Sequence, residues 1–290
     1  MKQLVVISGK GGTGKTSITA ALAGFGPKKV LADCDVDAAD LHLVLHPKKL
    51  ESIDFYSGQL ATIDPDLCIQ CGICADHCRF DAISRDFSII KEHCEGCGVC
   101  EFVCPQGAAI MEERMCGYQY VSETRFGTMV HAELGIGEEN SGKLVTSVRK
   151  RAKEIAEEQG AEMVIVDGSP GVGCPVIASL SDVDACLLVA EPTVSAVHDV
   201  KRVHELTTHF KIPCVAVINK CGVNPDLENE LREFCKESNV PVLGSLAYDT
   251  AFTEAQIHGQ TVAEYAPDGL GKDIAGMWGR LAQYLEISGE

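Results

Sequence analysis

Residues 9 to 16 read Gly-Lys-Gly-Gly-Thr-Gly-Lys-Thr, directly after the apolar run Leu4–Ile7 and before an alanine- and leucine-rich stretch from Thr16 to about Phe25. The apolar run has the character of a buried parallel strand, and the stretch behind the glycines that of a helix. Strand, glycine loop and helix in this order make Gly9-x4-Gly14-Lys15-Thr16 a phosphate-binding loop rather than an incidental turn. The glycines allow successive backbone N–H groups to converge on phosphate oxygens. Lys15 is the residue type that neutralises β- and γ-phosphates, and Thr16 the type that ligates Mg²⁺. The candidate nucleotide-binding set is therefore Gly9, Gly11, Gly12, Thr13, Gly14, Lys15, Thr16 and Ser17.

The same strand-and-helix alternation recurs along the chain. Val30–Ala32, Met163–Val166, Ala185–Ala190, Val215–Ile218 and Val242–Leu246 are apolar enough for buried strands. Helical patterns span Val145–Glu158, Ser195–Phe210 and Asp226–Ser238. Strands separated by helices predict an α/β fold, a doubly wound parallel sheet covered on both faces. From Lys272 to Leu285, the residues Ile274, Met277, Trp278, Leu281 and Leu285 share one helical face. Its flanks lack the lysine and arginine of a membrane-surface helix, so core packing is the expectation. The stretch Met111–Gly142, including Glu138 to Lys143, reads as polar, glycine-containing linker: covering loops or a partner contact.

Eight of the fifteen cysteines fall into two sets. One is Cys68-x2-Cys71-x2-Cys74-x3-Cys78, the other Cys94-x2-Cys97-x2-Cys100-x3-Cys104-Pro105. CxxC pairs also bind structural Zn²⁺. Three close cysteines with a more distant fourth suit a [4Fe–4S] cubane better, and the spacing resembles that of a two-cluster bacterial ferredoxin. In that arrangement the fourth cysteine of each set serves the other cluster. This resemblance implies Cys68, Cys71, Cys74 and Cys104 for one cluster, and Cys94, Cys97, Cys100 and Cys78 for the other. The segment 63–110 is thus expected to be an inserted α+β ferredoxin-like module, splitting an ATPase domain of residues 1–62 and 111–290. It has too little apolar periodicity to build a core, so its clusters would supply the cross-links. Arg79 stands after Cys78 where Pro105 stands after Cys104. A cation there favours the reduced cluster if it points inward. Of the other seven cysteines, Cys186 and Cys214 fit buried strand positions.

Net charge is −17, from 42 acidic and 25 basic residues. Such a surface repels nucleic acid and anionic lipid. The first residues, MKQLVVIS, lack a signal-peptide core, and no apolar run reaches the ~18 residues of a membrane span. Thiolate ligands belong in a reducing compartment, so the expected location is cytoplasmic.

The extra Lys10 makes the loop resemble the deviant Walker A loop of the MinD/ParA ATPases and the nitrogenase iron protein. In that family the first lysine reaches a partner subunit's nucleotide, so the resemblance implies an ATP-dependent dimer and a catalytic role for Lys10 beside Lys15. Asp33-Cys34-Asp35 resembles the family's acidic motif, which implies that Asp35 orients the attacking water; Asp33 fits a helix-capping acid equally well. Val164 to Gly171 resembles its Walker B and second switch, with Asp167 holding a Mg²⁺-bound water. Glu191-Pro192-Thr193, Ser195 and Asp199 resemble the segment after the next strand, and Asn219 an adenine contact. Cys174 lies where some relatives bind a cluster across the dimer. As a whole the chain resembles MinD-superfamily P-loop ATPases with an inserted ferredoxin domain. That implies ATP, Mg²⁺ and two [4Fe–4S] clusters, and a homodimer or a heterodimer with a related ATPase. It also implies a switch coupling nucleotide state to electron transfer with a redox partner. The alternatives are a maturation factor delivering a metallocofactor to a client, and a MinD-like spatial organiser.

Overall fold

The computed structural model describes residues 1–135 and 141–287, without the Ser141 side chain. The chain divides into two compact units. The larger is built on Met1–Ser52, Gln119–Glu133 and the chain from Ser141 onward, the smaller on Ile53–Tyr118.

The larger unit opens with β1 (Lys2–Ser8), α1 (Lys15–Leu22), β2 (Lys29–Asp33) and the short α2 (Leu41–Leu45). β3 (Lys48–Ile63) then leads into the smaller unit, with α3 (Ile73–His77) and α4 (Val99–Val103), and β4 (Ala109–Thr124) leads out of it. β5 (Gly127–Leu134), α5 (Ser141–Gln159), β6 (Met163–Asp167), α6 (Cys174–Leu180) and β7 (Ala185–Ala190) follow. The chain continues through α7 (Val194–His209), β8 (Cys214–Cys221), α8 (Pro225–Glu237) and β9 (Val242–Ala247). It closes with α9 (Ala251–Ile257), α10 (Val262–Tyr265) and α11 (Leu270–Leu285).

Nine strands form one sheet in the order β3-β4-β5-β2-β6-β1-β7-β8-β9. From β5 to β9 every neighbouring pair is parallel. Both faces of this part are covered. Leu4 and Val6 of β1 join a core with residues of α1, α2 and α11, while Val5 and Ile7, pointing the other way, are equally buried. β6 and β1 lie side by side at the centre; the chain leaves β1 for β2 on one side and β6 for β7 on the other, so the loop after β1 lies at a topological switch point, where open α/β sheets place their ligands.

α11 settles its own two readings. Ile274, Met277, Trp278, Leu281 and Leu285 are all buried in that core. Burying a side chain such as Ile274 or Leu281 is worth about 1.5–3 kcal/mol. Among the described residues no helix is long and apolar enough to cross a membrane.

The stretch 111–142 corrects the sequence reading: most of its described part is strand rather than loop. Only two residues separate β4 from β5, a connection that suits an antiparallel pair. β3 and β4 pair in the same sense, with Asp64 N donating to Ala108 O (2.8 Å) and Cys116 Sγ to Ser57 O (3.0 Å). These strands are half-polar and long, sixteen residues each. Their partners supply hydrogen bonds rather than apolar burial, which is why hydrophobic runs do not reveal them. The smaller unit accordingly starts before residue 63 and ends after residue 110. Glu138, Glu139 and Asn140, read as part of a linker or partner contact, lie outside the described residues.

Candidate functional site

The carboxyl ends of β1, β2, β6, β7 and β8 deliver the polar groups of one cleft and its margin in the larger unit. The cleft measures about 640 Å³ and includes Gly12, Lys15, Thr16, Asp35, Asn219 and Tyr248 in its wall. Gly14 has φ of 90°, in the left-handed region, and hands the chain to α1. That conformation suits glycine, and a β-carbon there would also strike the Asn219 amide. Gly9 has a different reason: its missing side chain admits the α7 backbone at Asp199 and Val200.

Lys15 is buried among three carboxylates. Its Nζ lies 2.8 Å from Asp167 Oδ1 and 3.4 Å from Asp35 Oδ2. Burial alone would lower its pKa, but Asp167 and Asp35 outweigh it and hold the ammonium charged. Thr16 donates to Asp167 Oδ2 at 2.7 Å. Thr19, one helical turn after Lys15, places its hydroxyl 2.8 Å from Asp167 Oδ1. Nothing in the loop motif announces Thr19; its signal is the i+4 spacing alone.

Asp33 and Asp167 are register partners at the ends of β2 and β6. Asp33 is fully buried, and burial together with Asp167 raises its pKa to about 8. Its Oδ2 accepts from Leu41 N, the first residue of α2, at 3.2 Å, and its Oδ1 from Asp35 N at 3.2 Å. Asp33 thus satisfies the first N–H of α2 from outside the helix, whose own N-cap residue is Asp40. Asp35 is also raised, by burial first and against the pull of Lys15. With Asp33 held towards its neutral form, one ammonium faces the carboxylates of Asp35 and Asp167, so the cluster has room for additional positive charge. Hard oxygen donors of this kind suit Mg²⁺.

The second loop lysine is held elsewhere. Lys10 Nζ lies 2.8 Å from Glu191 Oε1 and donates to Thr193 Oγ1 (3.0 Å) and Ser195 Oγ (3.1 Å). Thr193 also caps α7, accepting from Ala196 N. Glu191 carries a second cation, Lys220, 2.7 Å from Oε2. Burial would raise the Glu191 pKa, but the two lysines lower it overall. Lys220 also donates to Gly12 O (2.7 Å), and Asn219 Nδ2 to Thr13 O (2.8 Å). Sequence reasoning missed Lys220, which has the ordinary look of a lysine at a strand end. Ser17 accepts from Gln256 of α9 at 3.0 Å.

The smaller unit gathers the cysteines into two groups. Cys68, Cys71, Cys74 and Cys104 surround one small cavity, and Cys78, Cys94, Cys97 and Cys100 surround another. The two halves repeat each other. Gly72 and Gly98 are left-handed and start α3 and α4, and Cys78 and Cys104 end those helices in extended conformation. Ala82 N donates to Cys78 Sγ (3.3 Å) and Ala108 N to Cys104 Sγ (3.2 Å). Four thiols, backbone N–H donors aimed at sulfur, and apolar walls including Phe80, Phe87 and Ile89 fit an iron–sulfur cluster at each place. Arg79 is exposed and is not part of the wall around Cys78. In the larger unit Cys174 is exposed at the start of α6, and Cys186 and Cys214 are buried register partners.

Comparison with known proteins bears on both regions. The family model of the CobQ/CobB/MinD/ParA nucleotide binding domain matches residues 4–262. Uncharacterized protein MJ0578 of Methanocaldococcus jannaschii is 40% identical over 225 residues, 77% of this chain and 79% of that protein. Among solved structures, the septum site-determining protein MinD complexed with Mg-ADP, from Pyrococcus horikoshii, superposes with a TM-score of 0.59 at 17% identity. The match covers 98% of this chain and 96% of that one, and establishes likeness of fold. Pyruvate synthase subunit PorD of Methanothermobacter marburgensis is 38% identical over 50 residues, 17% of this chain and 62% of that protein.

Proposed function

Because the chain belongs to the CobQ/CobB/MinD/ParA nucleotide-binding family, we propose that it is an ATP-binding, ATP-hydrolysing dimeric switch that carries two [4Fe–4S] clusters and couples nucleotide state to electron transfer with a protein partner. One observation carries the proposal: two four-thiol groups lie between Asp35 and Asp167 in sequence, and those two carboxylates share Lys15 at the phosphate loop.

On the nucleotide side, loop N–H groups and Lys15 bind the phosphates, and Lys15 exchanges part of its carboxylate contact for phosphate oxygen. Thr16 would ligate Mg²⁺ and Asp167 would hold one of its waters, and the ion would supply charge neutralisation at the phosphates. Asp35 orients the attacking water; phosphoryl transfer asks for positioning and charge rather than a strong base. The Asn219 amide nitrogen donates to Thr13 O, and its Oδ1 is buried without a hydrogen-bond partner. The adenine contact that the family resemblance implies requires this amide to turn towards the cleft. Lys10 leaves Glu191 for the partner's nucleotide.

On the cysteine side, each four-thiol group holds one cluster, which supplies a one-electron couple. Backbone donors to Cys78 and Cys104 stabilise negative charge on sulfur. The 50-residue likeness to PorD supports a ferredoxin-like segment.

Anaerobic purification of the whole chain with its native partners, followed by iron quantitation and potentiometry with and without MgATP, tests the proposal. Eight irons per chain and an ATP-dependent change in potential or partner binding are expected. Zinc in place of iron overturns the cluster assignment. Iron lost to an apo-client during turnover replaces electron transfer with cofactor maturation.

A further inference from the structure

Glu191 is one of the chain's buried charges, with 5% of its surface exposed, and it holds two lysines at once. A buried carboxylate that loses its only cation is strongly destabilised. Release of Lys10 therefore depends on what remains at Glu191. We propose that Lys220 is a positioning residue for dimerisation: it keeps Glu191 neutralised when Lys10 swings to the partner subunit. This rests on the dimeric reading given above.

The geometry says which of the two lysines stays. Lys220 pairs its charge with Glu191 Oε2, which has no hydrogen-bond partner, and donates a hydrogen bond to the main-chain oxygen of Gly12 in the loop itself. It follows Asn219, whose amide is likewise tied to Thr13 O. Among the described residues Lys10 has only hydroxyls besides Glu191, those of Thr193 and Ser195. Hydroxyls can turn to other partners, and Thr193 Oγ1 already lies 3.3 Å from Glu191 Oε1. After Lys10 departs, Glu191 thus keeps an ammonium on Oε2 and the Thr193 hydroxyl donor on Oε1. Lys220 also links the free state of Lys10 to the loop, because its second contact is with Gly12 between the two loop lysines.

The test is sedimentation equilibrium of the whole chain, purified anaerobically, at saturating Mg²⁺ and a non-hydrolysable ATP analogue. Lys220→Met leaves Glu191 paired with Lys10, so the nucleotide-free chain keeps its melting temperature. Its dimer is expected to be about tenfold weaker or more. Lys220→Arg restores most of the loss. In a Glu191→Gln background no buried charge remains to be neutralised, and Lys220→Met then has no further effect on the dimer. That suppression separates the proposal from a merely structural role, which weakens the dimer equally in both backgrounds. Lys220→Gln, which keeps a donor towards Gly12 O, is the second variant should Lys220→Met fold poorly, with the same loss and suppression expected. An unchanged dimer constant in Lys220→Met, or an equal loss in both backgrounds, overturns the proposal alone. A wild-type chain that stays monomeric under these conditions overturns the homodimeric reading, and the proposal with it.

Discussion

The phosphate-loop cleft and the two cysteine groups are built on opposite principles. Lys15, Asp35, Asp167 and Asn219 come from four places in the chain and meet because parallel strands bring their carboxyl ends together. That sheet is held by large buried side chains such as Leu4, Ile7, Leu31, Met129, Met163 and Ile165. The eight cysteines come from one continuous stretch, and the apolar residues buried there are small: Ala61, Cys74, Ala82, Ala108, Ala109 and Cys116. Larger apolar side chains of that unit are exposed, Phe102 at 90%. A core organises the first region before any ligand arrives. The second has too little to bury to be organised in that way, and under the proposed function its clusters would supply the missing cross-links.

The largest expected effect tests that contrast directly. Stripping iron from the whole chain with a chelator unfolds residues 53–118, seen as lost amide-exchange protection, while nucleotide affinity stays within about threefold. Parallel loss of nucleotide binding breaks the comparison. Next comes Lys15→Ala, which leaves Asp35 and Asp167 without their shared cation. Nucleotide affinity by calorimetry drops about a hundredfold or more, with iron content unchanged.

A third effect sharpens the account of the core-built region. His131 is buried against Ser122 (2.9 Å to its hydroxyl) and stacks near His42. Burial first, then the neighbouring His42 and Lys49, lowers its pKa to about 4. The folded chain keeps the imidazole neutral while the unfolded chain protonates it below about 6.5, so stability falls as pH drops between those values. The loss is about 2 kcal/mol at pH 5, and His131→Gln removes it. Urea midpoints at pH 7 and pH 5 that shift equally in both proteins contradict this. The smallest effect concerns the two cysteine groups. Arg79 is exposed and apart from the wall around Cys78, so Arg79→Pro moves either cluster potential by at most about 40 mV. A larger shift in potentiometry means that the guanidinium turns inward.

Local features were the legible ones. The loop, the apolar strands and the helix from Leu270 to Leu285 follow from residue order and periodicity, because burial leaves a regular trace. β3, β4 and β5 left little trace, since β-pairing satisfies backbone groups without demanding an apolar run. Asp33 had two equal readings, and only the structure shows its carboxyl accepting from Leu41 N and Asp35 N. Lys220 had none, because its importance comes from Glu191, a residue brought beside it by β7 and β8 pairing in parallel.

The sequence by itself determined the phosphate loop, the two cysteine repeats and the α/β alternation, since each is written in near-neighbour spacing. The tertiary structure decided the charge arrangement: which lysine faces which carboxylate, and that one buried glutamate serves two of them. Coulombic and desolvation energies depend on distance and burial in space. Neither is a property of chain position.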